Sequence, residues 1–137
     1  MQKLYTATVT ATGGRDGKLI SSDNYLNVDV RTPKELGGPG GATNPEQLFA
    51  GGYASCFESA LNVVCRTKKI KVEKTEVTAH VTLGKDDEGN FALEVALDIT
   101  LGGVEGSVAK ELVDEAHQVC PYSRATRGNI KVELNLV

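Results

Sequence analysis

The chain has no apolar run approaching the length of a bilayer-spanning helix, and its start, Met1-Gln2-Lys3-Leu4-Tyr5-Thr6, lacks the apolar core of a signal peptide. A cytoplasmic protein with no membrane partner is the expectation. It also lacks an excess of either charge: the net charge is -3, and the Lys and Arg residues are scattered along the chain. That leaves no electrostatic footprint for a phosphate backbone, so nucleic acid is not an expected partner. Histidine is scarce. His80 falls in an alternating strand and His117 in a helix, neither spaced with a cysteine as a structural zinc site requires, so no metal is expected. The glycines at 37–41 are not followed by Lys-Ser/Thr, which excludes a phosphate-binding loop. No internal repeat or low-complexity tract is present.

What is present fits one domain, residues 1–137, with a modest core. A large pocket is more readily built at that size with a partner subunit. Alternation in Leu4-Tyr5-Thr6-Ala7-Thr8-Val9-Thr10 and in Tyr25-Leu26-Asn27-Val28-Asp29-Val30 predicts a strand meander over residues 3–31. Gly13-Gly14-Arg15-Asp16-Gly17 reads as a turn with Arg15 at its tip. Gly37-Gly38-Pro39-Gly40-Gly41 suits neither helix nor strand and is expected to be a mobile loop, a candidate lid. A helix is expected from Asn44, with Asn as N-cap, Pro45 at the first helical position and Gln47 placed for a capping box. Its apolar residues, from Leu48 and Phe49 to Val63 and Val64, cover much of its circumference, the mark of a central helix. Two alternating segments near 72–83 and 91–101 predict a hairpin. A second helix follows through Val108, Leu112, Val113, Ala116 and Val119, ended by Pro121, and Ile130-Lys131-Val132-Glu133-Leu134 alternates once more. Segregated runs of this kind imply an α+β domain of strands around a long central helix.

The three cysteines cannot all pair within one chain, and in a reducing compartment a disulfide is more often catalytic or sensing than structural. Cys56 and Cys65 share a helix, about 180° apart around its axis and about 13 Å apart along it, so they cannot bond to each other. Any intrachain disulfide must therefore use Cys120. Cys56 sits mid-helix near Tyr53 and Phe57, whereas Cys65 neighbours Arg66, Lys68 and Lys69, which favours Cys56 as the other half. The plain alternative, three small core hydrophobes, stays open at this point. Cys120-Pro121-Tyr122-Ser123 has the look of a glutaredoxin-type redox motif, but such a motif opens a helix. Here the cysteine is expected to close one, without a positive helix end to activate it.

Two long segments carry a resemblance. Thr43-Asn44-Pro45-Glu46-Gln47-Leu48-Phe49-Ala50-Gly51-Gly52-Tyr53-Ala54-Ser55-Cys56-Phe57 is one. Ala116-His117-Gln118-Val119-Cys120-Pro121-Tyr122-Ser123, followed by Ala125-Thr126-Arg127-Gly128-Asn129, is the other. Both resemble the signatures of organic hydroperoxide resistance proteins, the Ohr branch of the OsmC/Ohr superfamily, and the likeness in length and element order extends over essentially the whole chain. It implies an OsmC-like fold in an intertwined homodimer and a thiol peroxidase without metal or bound cofactor. In that reading Cys56 is the peroxidatic thiol, Cys120 resolves it by forming a disulfide, Arg15 is the catalytic arginine and Glu46 its partner. It also implies an external dithiol reductant, the dihydrolipoyl group of a lipoylated protein. Arg124 departs from the Asn more usual in the second motif, and Cys65 belongs to no motif of the family.

The implied chemistry fits the residue types. A thiolate attacks the O–O bond and an alcohol leaves. The sulfenic acid then condenses with the second thiol. A free cysteine titrates at about 8.5, so a cation is needed to enrich its thiolate at neutral pH. Cys56 lies about three turns into its helix, beyond the reach of the dipole, which makes Arg15 the natural source of that charge. Without the resemblance Arg15 reads as a solvated loop charge and Glu46 as an ordinary first-turn carboxylate. Phe49, Tyr53, Phe57 and Tyr122 lie near the thiols in sequence and would form an apolar wall for the carbon chain of an organic hydroperoxide; otherwise they are core. On a straight helix Glu46 is about 15 Å from Cys56, so sites combining Arg15 and Glu46 of one chain with Cys56 and Cys120 of its partner are expected, unless the helix breaks at Gly51-Gly52. A non-catalytic redox sensor or lipid-binding protein of the same fold is the alternative function.

Overall fold

The computed structural model describes residues 1–137 and places six strands and three α-helices. The order is β1 (Val9–Thr12), β2 (Gly17–Ser21), β3 (Asn27–Val30), α1 (Pro45–Thr67), β4 (Lys74–Lys85), β5 (Phe91–Gly102), α2 (Gly106–Val119), α3 (Pro121–Thr126) and β6 (Val132–Leu136). The fold is α+β with two three-stranded sheets, β1-β2-β3 and β4-β5-β6. The chain falls into two compact units, Met1–Leu48 and Phe49–Val137.

In the first unit the meander is shorter than alternation suggests. Residues 1–8 belong to no strand of this chain, because an alternating segment becomes a strand only where a neighbouring backbone takes its hydrogen bonds. β1 and β2 pair antiparallel around the expected turn, with Gly13 and Gly14 at positive φ (81° and 59°) and Asp16 N–H bonded to Gly13 O. Gly17 is obligatory at the exit: a Cβ there would lie 1.7 Å from the Thr12 carbonyl oxygen. The glycine-rich segment is better anchored than a free lid. Gly37 ends a 3-10 turn at Lys34–Leu36, Gly38 N–H bonds Pro33 O and Gly40 N–H bonds Thr32 O.

α1 starts as its sequence predicts, with Asn44 Oδ1 accepting from Gln47 N–H at 2.9 Å. The capping box is incomplete, since the Gln47 side chain accepts from Thr43 Oγ1 instead of reaching back to the Asn44 amide. The helix passes through Gly51-Gly52 without a break.

The second unit holds the hydrophobic core. Tyr53, Phe57, Leu61 and Val64 form one buried stripe of α1, Val95, Leu97 and Ile99 form the inward face of β5, and Leu112, Val113 and Ala116 come from α2. Each large side chain enclosed this way contributes about 1.5–3 kcal/mol. β4 and β5 form the expected hairpin, closed by Asp86 Oδ1 accepting from Glu88 and Asn90 N–H, with Gly89 at φ 83°. β6 pairs parallel to β5, the one departure from antiparallel pairing between strands.

Candidate active site

Two constellations of candidate side chains arise, one in each unit. In the second, α1 carries Cys56 and the end of α2 carries Cys120, with Cys120 Sγ 3.8 Å from Cys56 Sγ. Both thiols are free, and a disulfide of about 2.05 Å requires the sulfurs to close by about 1.8 Å. Cys56 is partly exposed whereas Cys120 is 0% exposed, so a dissolved oxidant meets Cys56 first. Cys65 is buried in the core and has no sulfur partner.

Burial pushes the Cys56 thiol above its ordinary range; the Tyr122 backbone amide offsets part of this, and the neighbouring Cys120 thiol adds to it. The groups acting on the sulfur include no cation. Burial raises Cys65 as well.

The setting of Cys120 corrects the sequence reading. Its N–H closes α2 on Ala116 O, and the same residue caps α3: Pro121 takes the first helical position, and Cys120 Sγ accepts from Ser123 N–H at 3.5 Å. The cysteine therefore closes one helix and opens another, so its sulfur does face a backbone N–H, that of Ser123, at a helix start. A proline right after the cap residue is the signal used at Pro45, and reading it again at Pro121 would have found α3. Behind Cys120, Tyr53 Oη lies 2.9 Å from Ser123 Oγ and 3.1 Å from Thr126 Oγ1, all buried. Nothing in the one-dimensional pattern marks this pairing across 70 residues.

The four aromatics divide. Tyr53 and Phe57 are fully buried, so the expectation that they wall a substrate pocket gives way to a core role. Phe49 and Tyr122 line an apolar cavity of ≈ 320 Å³ together with Leu93, Ala125, Thr126, Asn129 and Ile130. The Tyr122 ring lies against α1 at Gly52, where a Cβ would meet ring atoms at 3.1 Å, and its centroid is 5.9 Å from that of Tyr53. Arg124 is exposed on α3.

In the first unit Arg15 and Glu46 form a bidentate pair, Nη1 to Oε2 at 2.8 Å and Nη2 to Oε1 at 2.6 Å. Two planar groups matched in this way hold orientation as well as charge. The turn is fixed from its other side by Asp16, whose carboxylate accepts from Thr32 N–H at 3.3 Å and Thr32 Oγ1 at 3.1 Å. Hydrogen bonding to Arg15 holds the Glu46 carboxyl below its usual range, and Glu46 in turn raises the guanidinium. Arg15 is thus an oriented cation rather than a solvated loop charge. No group of three or more His, Cys, Asp or Glu side chains is gathered as for a metal ion.

The fold has counterparts among known proteins. A family model described as OsmC-like protein matches residues 38–135. The chain is 54% identical to the organic hydroperoxide resistance protein OhrA of Bacillus subtilis (strain 168), covering 98% of this chain and 97% of that protein. Among solved structures, an organic hydroperoxide resistance protein from Elizabethkingia anophelis superposes with a TM-score of 0.95 at 51% identity, covering 99% of this chain and 98% of that one. One from Legionella pneumophila, described as an organic hydroperoxide resistance protein OsmC and predicted redox protein, gives 0.95 at 48% identity over 98% of both chains.

Proposed function

The chain belongs to the OsmC-like protein family, in its organic hydroperoxide resistance branch, and from that premise we propose that it is a thiol-dependent peroxidase that reduces organic hydroperoxides to alcohols. The relatives' names support a role in organic peroxide resistance. The observation that carries the finer reading is the sulfur pair: a partly exposed thiol 3.8 Å from a fully buried one suits a first attack followed by internal capture. Cys56 attacks the distal peroxide oxygen, the O–O bond breaks, the alcohol leaves and Cys56 becomes a sulfenic acid. Cys120 condenses with it, releasing water and forming the Cys56–Cys120 disulfide.

Because burial, and after it the neighbouring Cys120 thiol, opposes ionisation of Cys56, the scheme requires a cation. Arg15, oriented by Glu46, is our assignment for that role. Phe49 and Tyr122 contribute an apolar wall that favours organic hydroperoxides over hydrogen peroxide. The scheme uses no metal or bound cofactor. A dihydrolipoyl group on a lipoylated protein reduces the disulfide, and the protein works in the cytoplasm, where thiols are kept reduced.

A homodimer is part of the proposal. Its support is the apolar surface that the first unit leaves open in a single chain, with Leu4 87% and Tyr5 82% exposed and all four residues of β1 exposed.

The test is a steady-state assay of cumene hydroperoxide against hydrogen peroxide, with dihydrolipoamide, thioredoxin and glutathione in turn. Turnover faster with the organic peroxide and supported best by dihydrolipoamide is expected. Equal efficiency toward both peroxides would remove the substrate assignment, and a disulfide that forms without turnover would point to a redox sensor instead.

A further inference from the structure

Three buried hydroxyls sit directly behind Cys120, and their proton directions follow by elimination. Thr126 Oγ1 lies 3.2 Å from the Ser123 carbonyl, which can only accept, so Thr126 donates there. Having spent its one proton, Thr126 must accept from Tyr53 Oη at 3.1 Å. Tyr53 has then spent its own and accepts from Ser123 Oγ at 2.9 Å. The result is a closed ring that begins and ends on Ser123, with every proton used once. Tyr53 and Ser123 are 0% exposed and Thr126 6%, so water does not compete for these groups.

The ring occupies both the hydroxyl and the carbonyl of Ser123. Its backbone N–H is the group left facing Cys120 Sγ, at 3.5 Å. Cys120 is also 0% exposed, so solvent does not hold its sulfur, and this amide at the α3 start is the backbone donor in contact with it.

We propose that Tyr53, with Ser123 and Thr126, is a positioning group for the resolving step: the hydroxyl ring holds the Ser123 amide on Cys120 Sγ, and so holds Cys120 ready to capture the oxidised Cys56. The inference rests on the peroxidase reading above. In the step concerned, the Cys120 sulfur pair attacks the sulfur of the Cys56 sulfenic acid. The S–S bond forms as the S–O bond breaks, and the departing hydroxide takes the proton given up by the Cys120 thiol, leaving as water. The sulfenic sulfur is reduced and the thiol sulfur oxidised, each to the disulfide level, so no further co-reactant is required.

Tyr53→Phe removes one hydroxyl and keeps the ring that fills the core. The first reduction of cumene hydroperoxide, measured as single-turnover loss of peroxide, should stay at the wild-type rate. Disulfide formation should slow about fivefold, the loss of one buried hydrogen bond from a transition state. Mass spectrometry after excess peroxide should show the ratio of disulfide to Cys56 sulfinic acid falling by a similar factor. Thr126→Val breaks the ring from its other side and should behave alike, while Thr126→Ser, which keeps the hydroxyl, should restore the wild-type ratio; should Tyr53→Phe not fold, this pair carries the test. Variants that melt earlier but partition as wild type would overturn the proposal and leave the ring a purely structural device. A wild-type protein that forms no Cys56–Cys120 disulfide would instead overturn the peroxidase reading on which it rests.

Discussion

Exposure and charge assign different work to residues of the same type. Cys56 is reachable and Cys120 is sealed, so Cys56→Ser should abolish peroxide reduction. Cys120→Ser should permit one attack and then let Cys56 drift to sulfinic acid, which peptide mass spectrometry after a peroxide pulse would reveal. Cys65→Ser should leave turnover unchanged, since Cys65 is buried in the core with no sulfur partner, while costing about 1–3 kcal/mol for a buried hydroxyl. The cation assignment makes a pH prediction. If Arg15 enriches the Cys56 thiolate, it lowers the alkylation midpoint against the upward push of burial. Arg15→Ala should move it upward, toward the raised value that burial alone favours. Glu46 acts at the acid end. Its folded carboxyl titrates below the ordinary range, so its contribution is complete at neutral pH and is lost as pH falls through that depressed value. Glu46→Gln should remove this acid-side loss from the stability profile, and an unchanged profile would contradict the pairing. The family resemblance marks Arg15 and Glu46; by residue pattern alone they read as a loop charge and a first-turn carboxylate. Their bidentate bond was not legible from residue patterns, because a contact across 31 residues leaves no periodicity.

Elements deliver these side chains, and two adjacent glycines of α1 show how. Gly51 has open space where a Cβ would go, whereas a Cβ on Gly52 would press on the Tyr122 ring at 3.1 Å. Gly51→Ala should therefore raise stability by about 0.5–1 kcal/mol through helix propensity alone. Gly52→Ala should gain less or nothing, and should change kcat/KM for organic hydroperoxides by shifting Tyr122 in the cavity wall. Thermal melts and kinetics on the pair decide it; equal stabilisation with unchanged kinetics would dismiss the crowding. Long periodic elements such as α1, the β4–β5 hairpin and α2 were legible because one face of each meets the core. α3 was not, since six residues hold too little periodicity to stand out and Pro121 reads first as a stop. The burial of Tyr53 and Phe57 is not legible for a related reason: nearness to a cysteine in sequence does not say which way a helical side chain faces.

At the scale of the whole molecule, we propose that the two units act as one domain, which a single cooperative calorimetric transition would support. α1 runs through Gly51-Gly52 as one helix. A homodimer whose sites combine Arg15 and Glu46 of one chain with the thiols of the other makes a further prediction. Mixing Arg15→Ala chains with Cys56→Ser chains should restore one working site per heterodimer, where sites built within one chain would show no recovery. The catalytic assignments depend on which sulfurs exchange electrons with the peroxide. The most direct measurement is peptide mapping by mass spectrometry of the wild-type protein after one equivalent of cumene hydroperoxide. The account predicts a single new cross-link, Cys56 to Cys120, with Cys65 remaining a free thiol. A disulfide that includes Cys65, or peroxide consumed with Cys56 still reduced, would contradict it.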